Sequence, residues 1–364
     1  MVLLVIFGSM SKTLKTILAL SVFPQIIIVK LLGKHPDLIE KYYSNGIYPV
    51  ISKISRYVFG WIPFSVGDIL YTFAGFLILR FLILKGRWFF TQTRIFFREV
   101  FITISLAYAI FHLGWGLNYY REPLHKTLHL ANEYTSEELF DFTKKLIQKS
   151  NEAHAAITPD STEMVIIPYT KREMYRMSGD GYKILSKKYP NLAYEPVSIK
   201  SSLYSIPLSY MGYGGYLNPF TNEAQVNDVQ INFKYPTVCC HEEAHQIGYS
   251  AENEANFVGY LAAINNPDKY FKYSGYIFVL RYCMGEIKRR DPVRFEEYNK
   301  LLYPGIIKNY IEVTQFWQKH QSAAEPVFKN TYNTFLKANN QKEGLRTYSY
   351  VVALLINYYK ENAL

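Results

Sequence analysis

His241 and His245 stand four residues apart in the run Val238-Cys-Cys-His-Glu-Glu-Ala-His-Gln-Ile-Gly248. On a helix both imidazoles then project from one face, one turn apart. Two such imidazoles can share one Zn²⁺, and Glu242, beside the first, is placed to hold a water against the metal and act as its base. The same three positions also occur on ordinary amphipathic helices, where both histidines are surface residues. The flanks favour the metal. Val238, Cys239 and Cys240 are what a buried helix needs before the first histidine, and Gly248 can end that helix in a left-handed conformation. Ser250 would then cap a second helix opening near Glu252. Glu243 is discordant, a charge at a motif position usually uncharged. A third protein ligand is required, and Glu252 is the nearest candidate, with Glu254 as the alternative. Cys239 and Cys240 read as small core residues, and with Cys283 they form no disulfide framework. A second histidine pair, His125 and His129, has Lys126 where the base would stand and reads as interfacial.

These residues must be positioned by a chain that is 49% hydrophobic, with 33 Tyr and 24 Phe among 364 residues, a composition that suits a membrane protein with an aromatic-rich globular part. The net charge of +10 forms no stripe of the kind nucleic acid requires, so nucleic acid is excluded as a partner and the excess is assigned to membrane topology. Three apolar stretches, at 14–32, 66–84 and 100–117, approach the ~20 residues that cross a bilayer. Pro24 kinks the first, which reads as a signal anchor, with Met1 to Ser9 an upstream extension. Asp68 and Arg80 interrupt the second, and Trp115 to Arg121 anchor the end of the third. The loop at 85–98 carries Lys85, Arg87, Arg94 and Arg98, which places it in the cytoplasm. Residues 34–64 are then a small outside loop with a helix. Everything after residue 118 is outside as well, the periplasmic face of the inner membrane in a bacterium.

The expected division is a membrane region at 1–121 and a mostly helical globular domain at 122–364 with a small antiparallel sheet. Thr135 and Glu138 form a capping box for a helix to about residue 152. Further helices are expected at 172–188, 257–264, 270–289, 295–302, 305–319 and 326–337, and a buried one at 346–359. Strands are expected at 197–205 and 223–227. The second of these, just before the motif helix, is either an ordinary edge strand or a template for an extended peptide. Arg346 or Tyr348 is placed to stabilise negative charge developing on a carbonyl oxygen.

The chain resembles an uncharacterised family of bacterial membrane proteins, best known from Bacteroidota. The likeness lies in Trp115-Gly-Leu-Asn-Tyr-Tyr-Arg121, in 238–260 and in Tyr348-Ser-Tyr-Val-Val352, and it implies the architecture above. More distantly, the motif block is similar to the gluzincin metallopeptidases, whose third ligand opens a Glu-x-x-Ala-Asp/Asn pattern. That resemblance implies a zincin-like α+β domain with Glu252 as ligand and Asn256 as the group orienting a histidine. Only residues 246–251 separate His245 from Glu252, shorter than most gluzincins, and Ala251 occupies the metzincin ligand position, where it cannot bind metal. The expected function is a membrane-anchored, one-zinc metallopeptidase acting on peptides or proteins outside the cytoplasm. Intramembrane cleavage is disfavoured because residues 222–256 are too polar for lipid. The alternatives are a tethered binding or scaffold protein with a structural or vestigial metal site, and a zinc hydrolase of a non-peptide amide.

Overall fold

The computed structural model describes residues 10–341 and 350–364; the expected upstream extension at 1–9 and the expected role of Arg346 or Tyr348 fall outside the described residues. The chain opens with α1 (Lys12–Leu20) and α2 (Val22–Leu32), which form one 21-residue apolar unit. Pro24 sits in the first turn of α2, where the helix needs no backbone N–H of its own, and the break between α1 and α2 falls just before it at Ser21. A widened helical segment, Ile39–Ile47, runs directly into α3 (Tyr48–Phe59). Helix α4 (Val66–Lys85) is capped by the Ser65 hydroxyl, and α5 is Thr93–Gly114. The three apolar units are each long enough to cross a bilayer, and most of each surface is free of protein contact. The third begins earlier than the apolar window at 100–117 because Arg94 and Arg98 are already helical, and it ends at Gly114, before a tight turn at Gly116–Tyr120.

Both capping boxes that open the next helices are complete: Thr135 with Glu138 for α6 (Ser136–Ala155), and Thr170 with Glu173 for α7 (Lys171–Leu185). Then come β1 (Ile199–Ser201), α8 (Ser205–Met211), β2 (Gly215–Asn218) and β3 (Glu223–Val226). The helices after the sheet are α9 (Tyr235–Gln246), α10 (Glu252–Asn265), α11 (Lys269–Arg290), α12 (Pro292–Asn299), α13 (Pro304–Lys319), α14 (Glu325–Ala338) and α15 (Val351–Glu361).

The sheet departs from expectation. It is mixed and not antiparallel: the order is β1-β3-β2, with β1 parallel and β2 antiparallel to β3. The short turn between β2 and β3 makes a hairpin, whereas α8 intervenes between β1 and β2 and lets β1 run alongside β3 in the same direction. Residues 223–226 are therefore the central strand, with no edge to offer a peptide, and the edge facing outward on that side belongs to β2.

One apolar core joins α6, α7, α9, α10, α11 and α15, with Tyr182, Phe257, Phe271, Leu139 and Leu355 fully enclosed. The segment at 34–64 is not a free loop. Its α3 lies against α9, with the Tyr48 and Ser52 hydroxyls both donating to the Gln246 carbonyl at 2.7 Å. The start of α4 is fixed to the sheet as well. Glu223 accepts from the Val66 and Gly67 N–H groups (3.2 and 2.6 Å), while Asp68 accepts from the Leu203 N–H at 2.6 Å and from the Tyr216 hydroxyl.

Candidate metal centre

Helix α9 is buried along almost its whole length, and α10 returns antiparallel beside it. Between them Gly248 adopts φ +99, the left-handed turn its position in the sequence predicts. Ser250 does not cap the second helix: Ala251 is the N-cap residue and no side chain bonds there. The turn is short enough that Glu252, in the first turn of α10, reaches back to both histidines of α9. Its Oε2 lies 3.3 Å from His241 Nε2 and 3.7 Å from His245 Nε2, and the two imidazole rings are nearly perpendicular, with centroids 4.7 Å apart. Donors about 2.0–2.1 Å from a tetrahedral Zn²⁺ sit roughly 3.3–3.4 Å from one another, so these three atoms fit one ion. They are the one cluster of three metal-ligating side chains among the described residues.

The supporting bonds point the same way. His245 Nδ1 is 2.7 Å from the Tyr249 carbonyl, which fixes the tautomer that presents Nε2 to the site. Trp115 Nε1 donates to the His245 carbonyl at 3.0 Å. Glu252 shares its carboxylate: Oε2 faces the histidines, and Oε1 accepts from the Tyr332 hydroxyl at 2.5 Å. Burial works against charge on both groups, but the Glu252 carboxylate outweighs it at His245, raising it to about 9, and the bonds to His241 and His245 outweigh it at Glu252, holding it well below the usual carboxylate range. Burial pushes Glu242 up to about 7, against the pull of the two histidines. His241 Nδ1, Glu242 Oε2 and Asn256 Nδ2 are buried with no hydrogen-bond partner among the described residues. Three unsatisfied polar atoms around one cluster are what a site built for a further ligand presents.

Of the residues singled out from the sequence, the structure brings His241, Glu242, His245, Glu252 and Asn256 onto one cleft of about 1340 Å³. Asn256 makes no hydrogen bond to either histidine; the orienting contact it was expected to give comes from the Tyr249 carbonyl. Glu254 points elsewhere, accepting from the Leu124 N–H at 2.7 Å near Arg121. The discordant Glu243 faces the core, where it accepts from the Ser178 hydroxyl; burial pushes it up to about 8 and Arg56 pulls it back. Tyr332 was missed because it lies 80 residues beyond Glu252 inside an unremarkable helical pattern.

These features define a mainly helical protein with three helices long and apolar enough to span a membrane, a small mixed sheet and a His-His-Glu cluster on an open cleft. The chain belongs to the family described as "Protein of unknown function (DUF3810)", which it matches over residues 43–356. No curated protein and no solved structure gives a match.

Proposed function

We propose that the protein is a zinc-dependent peptidase held in a membrane by α1–α2, α4 and α5. Its cleft lies on the face away from the basic loop at 85–98, which in a bacterium is the periplasmic side of the inner membrane. The observation that carries this reading is the convergence of His241, His245 and Glu252 beside an unpartnered Glu242 carboxylate on an open cleft. Zinc held by those three residues would supply Lewis-acid polarisation of a carbonyl and acidification of a water. Glu242 takes the proton from the attacking water and returns it to the leaving nitrogen. Tyr332 and the Tyr249 carbonyl hold Glu252 and His245 in place. Three ligands on an open cleft favour catalysis over a closed structural site, which takes four.

Strand β2 favours a peptide over other amides. The Asn227 N–H donates to the Gly214 carbonyl. In an antiparallel ladder that turns the backbone groups of Tyr216 and Asn218 toward β3, and those of Gly215 and Leu217 away from it. The outward edge, beside Glu242, has no strand partner among the described residues and can pair with an extended substrate.

The test is zinc content and hydrolysis of a mixed peptide library by the full chain in detergent. One zinc per chain is expected, lost in His245→Ala and retained in Glu242→Gln, with cleavage abolished in both. Cleavage by Glu242→Gln at the wild-type rate, or no zinc after metal loading, overturns the proposal.

A further inference from the structure

The cleft extends beyond the polar half of the molecule. Its lining includes Tyr71 of α4 and Phe111 of α5, and both lie within the helices long and apolar enough to span a bilayer. Tyr71 stacks on Tyr216 of β2 and meets Phe220 edge-on, with ring centroids 6.3 and 6.1 Å apart, so the apolar end of the cleft is continuous with α4. Trp115, immediately after α5, donates to the carbonyl of His245. One side chain thus separates a metal ligand from the end of a membrane-spanning helix.

Helix α3 fixes the height of the site independently. Tyr48, Ser52 and Arg56, spaced four apart, form the face turned toward the globular half. Val50, Ile54, Tyr57 and Val58 form the opposite face, which is exposed and continues to Trp61. The chain enters a spanning helix on either side of α3, so this apolar face rests on the bilayer surface, as interfacial helices rich in aromatic residues do. The same helix therefore touches both the lipid and the end of α9.

Among the described residues, the space beside the cleft is open. Helices α4 and α5 meet through Phe81 and Phe96, 5.5 Å apart, next to the loop that joins them and far from the site. Toward the site, the face of α4 below Tyr71 consists of Ala74, Gly75 and Ile78, all exposed. A Cβ added at Gly75 would meet nothing within 4 Å.

Resting on the peptidase reading, we infer that the substrate is a polypeptide anchored in the same bilayer, whose segment emerging from the membrane enters the cleft past Tyr71, between α4 and α5. The anchor diffuses in the plane of the membrane, and the extended segment rises to β2 and Glu242. Anchoring raises the effective concentration at the cleft without any added contact.

The test uses the full chain in liposomes with two synthetic peptides. One has a single apolar span of about 20 residues followed by a polar extension; the other is the extension alone. In the Glu242→Gln chain, a photo-crosslinking residue is placed either at Gly75, on the Tyr71 face, or at Phe73, on the opposite face of α4. Labelling of the anchored peptide from position 75 is expected to exceed that from position 73 by roughly fivefold or more. In the active chain, Gly75→Trp, which places a bulky ring at a position with open space around its Cβ, is expected to slow cleavage of the anchored peptide about tenfold relative to the free extension. Equal labelling from both positions, or none from either, overturns the inference, as does an unchanged cleavage ratio in Gly75→Trp. Labelling requires neither metal nor hydrolysis. Face-specific labelling in a chain that binds no zinc would leave membrane delivery standing and remove the peptidase reading. Equal cleavage of both peptides would do the reverse.

Discussion

Glu252 is held by a residue 80 positions further along the chain. The Tyr332 hydroxyl donates to Oε1, which leaves Oε2 as the oxygen offered to the histidines. Without that donor the carboxylate can rotate, and a rotated carboxylate presents no oxygen, or both, to the metal position. Tyr332→Phe keeps the ring contact with Phe335 and removes only the hydroxyl. Loss of a bond that orients a metal ligand weakens metal binding about 10–100-fold. Competition against a chromophoric chelator should show that loss in Tyr332→Phe while the melting transition moves little. Unchanged affinity would make the bond incidental. Asn256 gives a useful contrast, because its buried amide nitrogen has no hydrogen-bond partner among the described residues although the residue lines the cleft.

At the level of elements, the site is a helical hairpin set against the edge of a sheet. Strand β2 approaches α9 closely enough that a methyl group at Gly215 would lie 2.6 Å from both the Gln225 carbonyl oxygen and Glu242 Oε1. Gly215→Ala must therefore push β2 off β3 or displace the Glu242 carboxylate, and overpacking of this kind costs roughly 1–3 kcal/mol. On the proposed reading the expected result is loss of hydrolysis with one zinc still bound, since the atoms nearest an added Cβ at Gly215 belong to Gln225 and Glu242 and not to His241, His245 or Glu252; elemental analysis beside a peptide assay separates the two. The hairpin was legible in the sequence because its main determinants lie within 238–256: the histidine spacing, the left-handed Gly248 and the Glu252 run. The three helices long and apolar enough to span a bilayer were legible because hydropathy is local. Asp68 was legible only as an interruption; its role in fastening α4 to Leu203 and Tyr216 depends on partners more than 130 residues away. Strand order failed for the same reason, because strand propensity says which residues extend but not which neighbour they choose.

At the scale of the whole molecule, the part of the chain before residue 122 completes the end of the helix that carries His241 and His245. The last carbonyls of α9 have no partners within their own helix, as at any helix end. Three side chains from before residue 122 meet them: Tyr48 and Ser52 on the Gln246 carbonyl, and Trp115 on the His245 carbonyl. A fourth, Arg121, donates to the Gly248 carbonyl at 3.0 Å and is itself held by Glu40 at 2.7 Å. Glu223 and Asp68 tie the sheet to the first turn of α4 through buried carboxylates. A fragment of residues 122–364 would strip every one of these contacts at once. Each such hydrogen bond contributes about 0.5–1.5 kcal/mol net, so losing them all together removes much of a typical folding stability of about 5–15 kcal/mol. The fragment should therefore bind less than one zinc per chain and show no cooperative melt. Supplying residues 10–121 as a separate chain in the same detergent micelle should restore both, because the contacts are noncovalent. A soluble 122–364 fragment with one tightly bound zinc and a sharp transition would show that α9 holds its end without α3 and α5. The site would then not be tied to the bilayer surface through those helices.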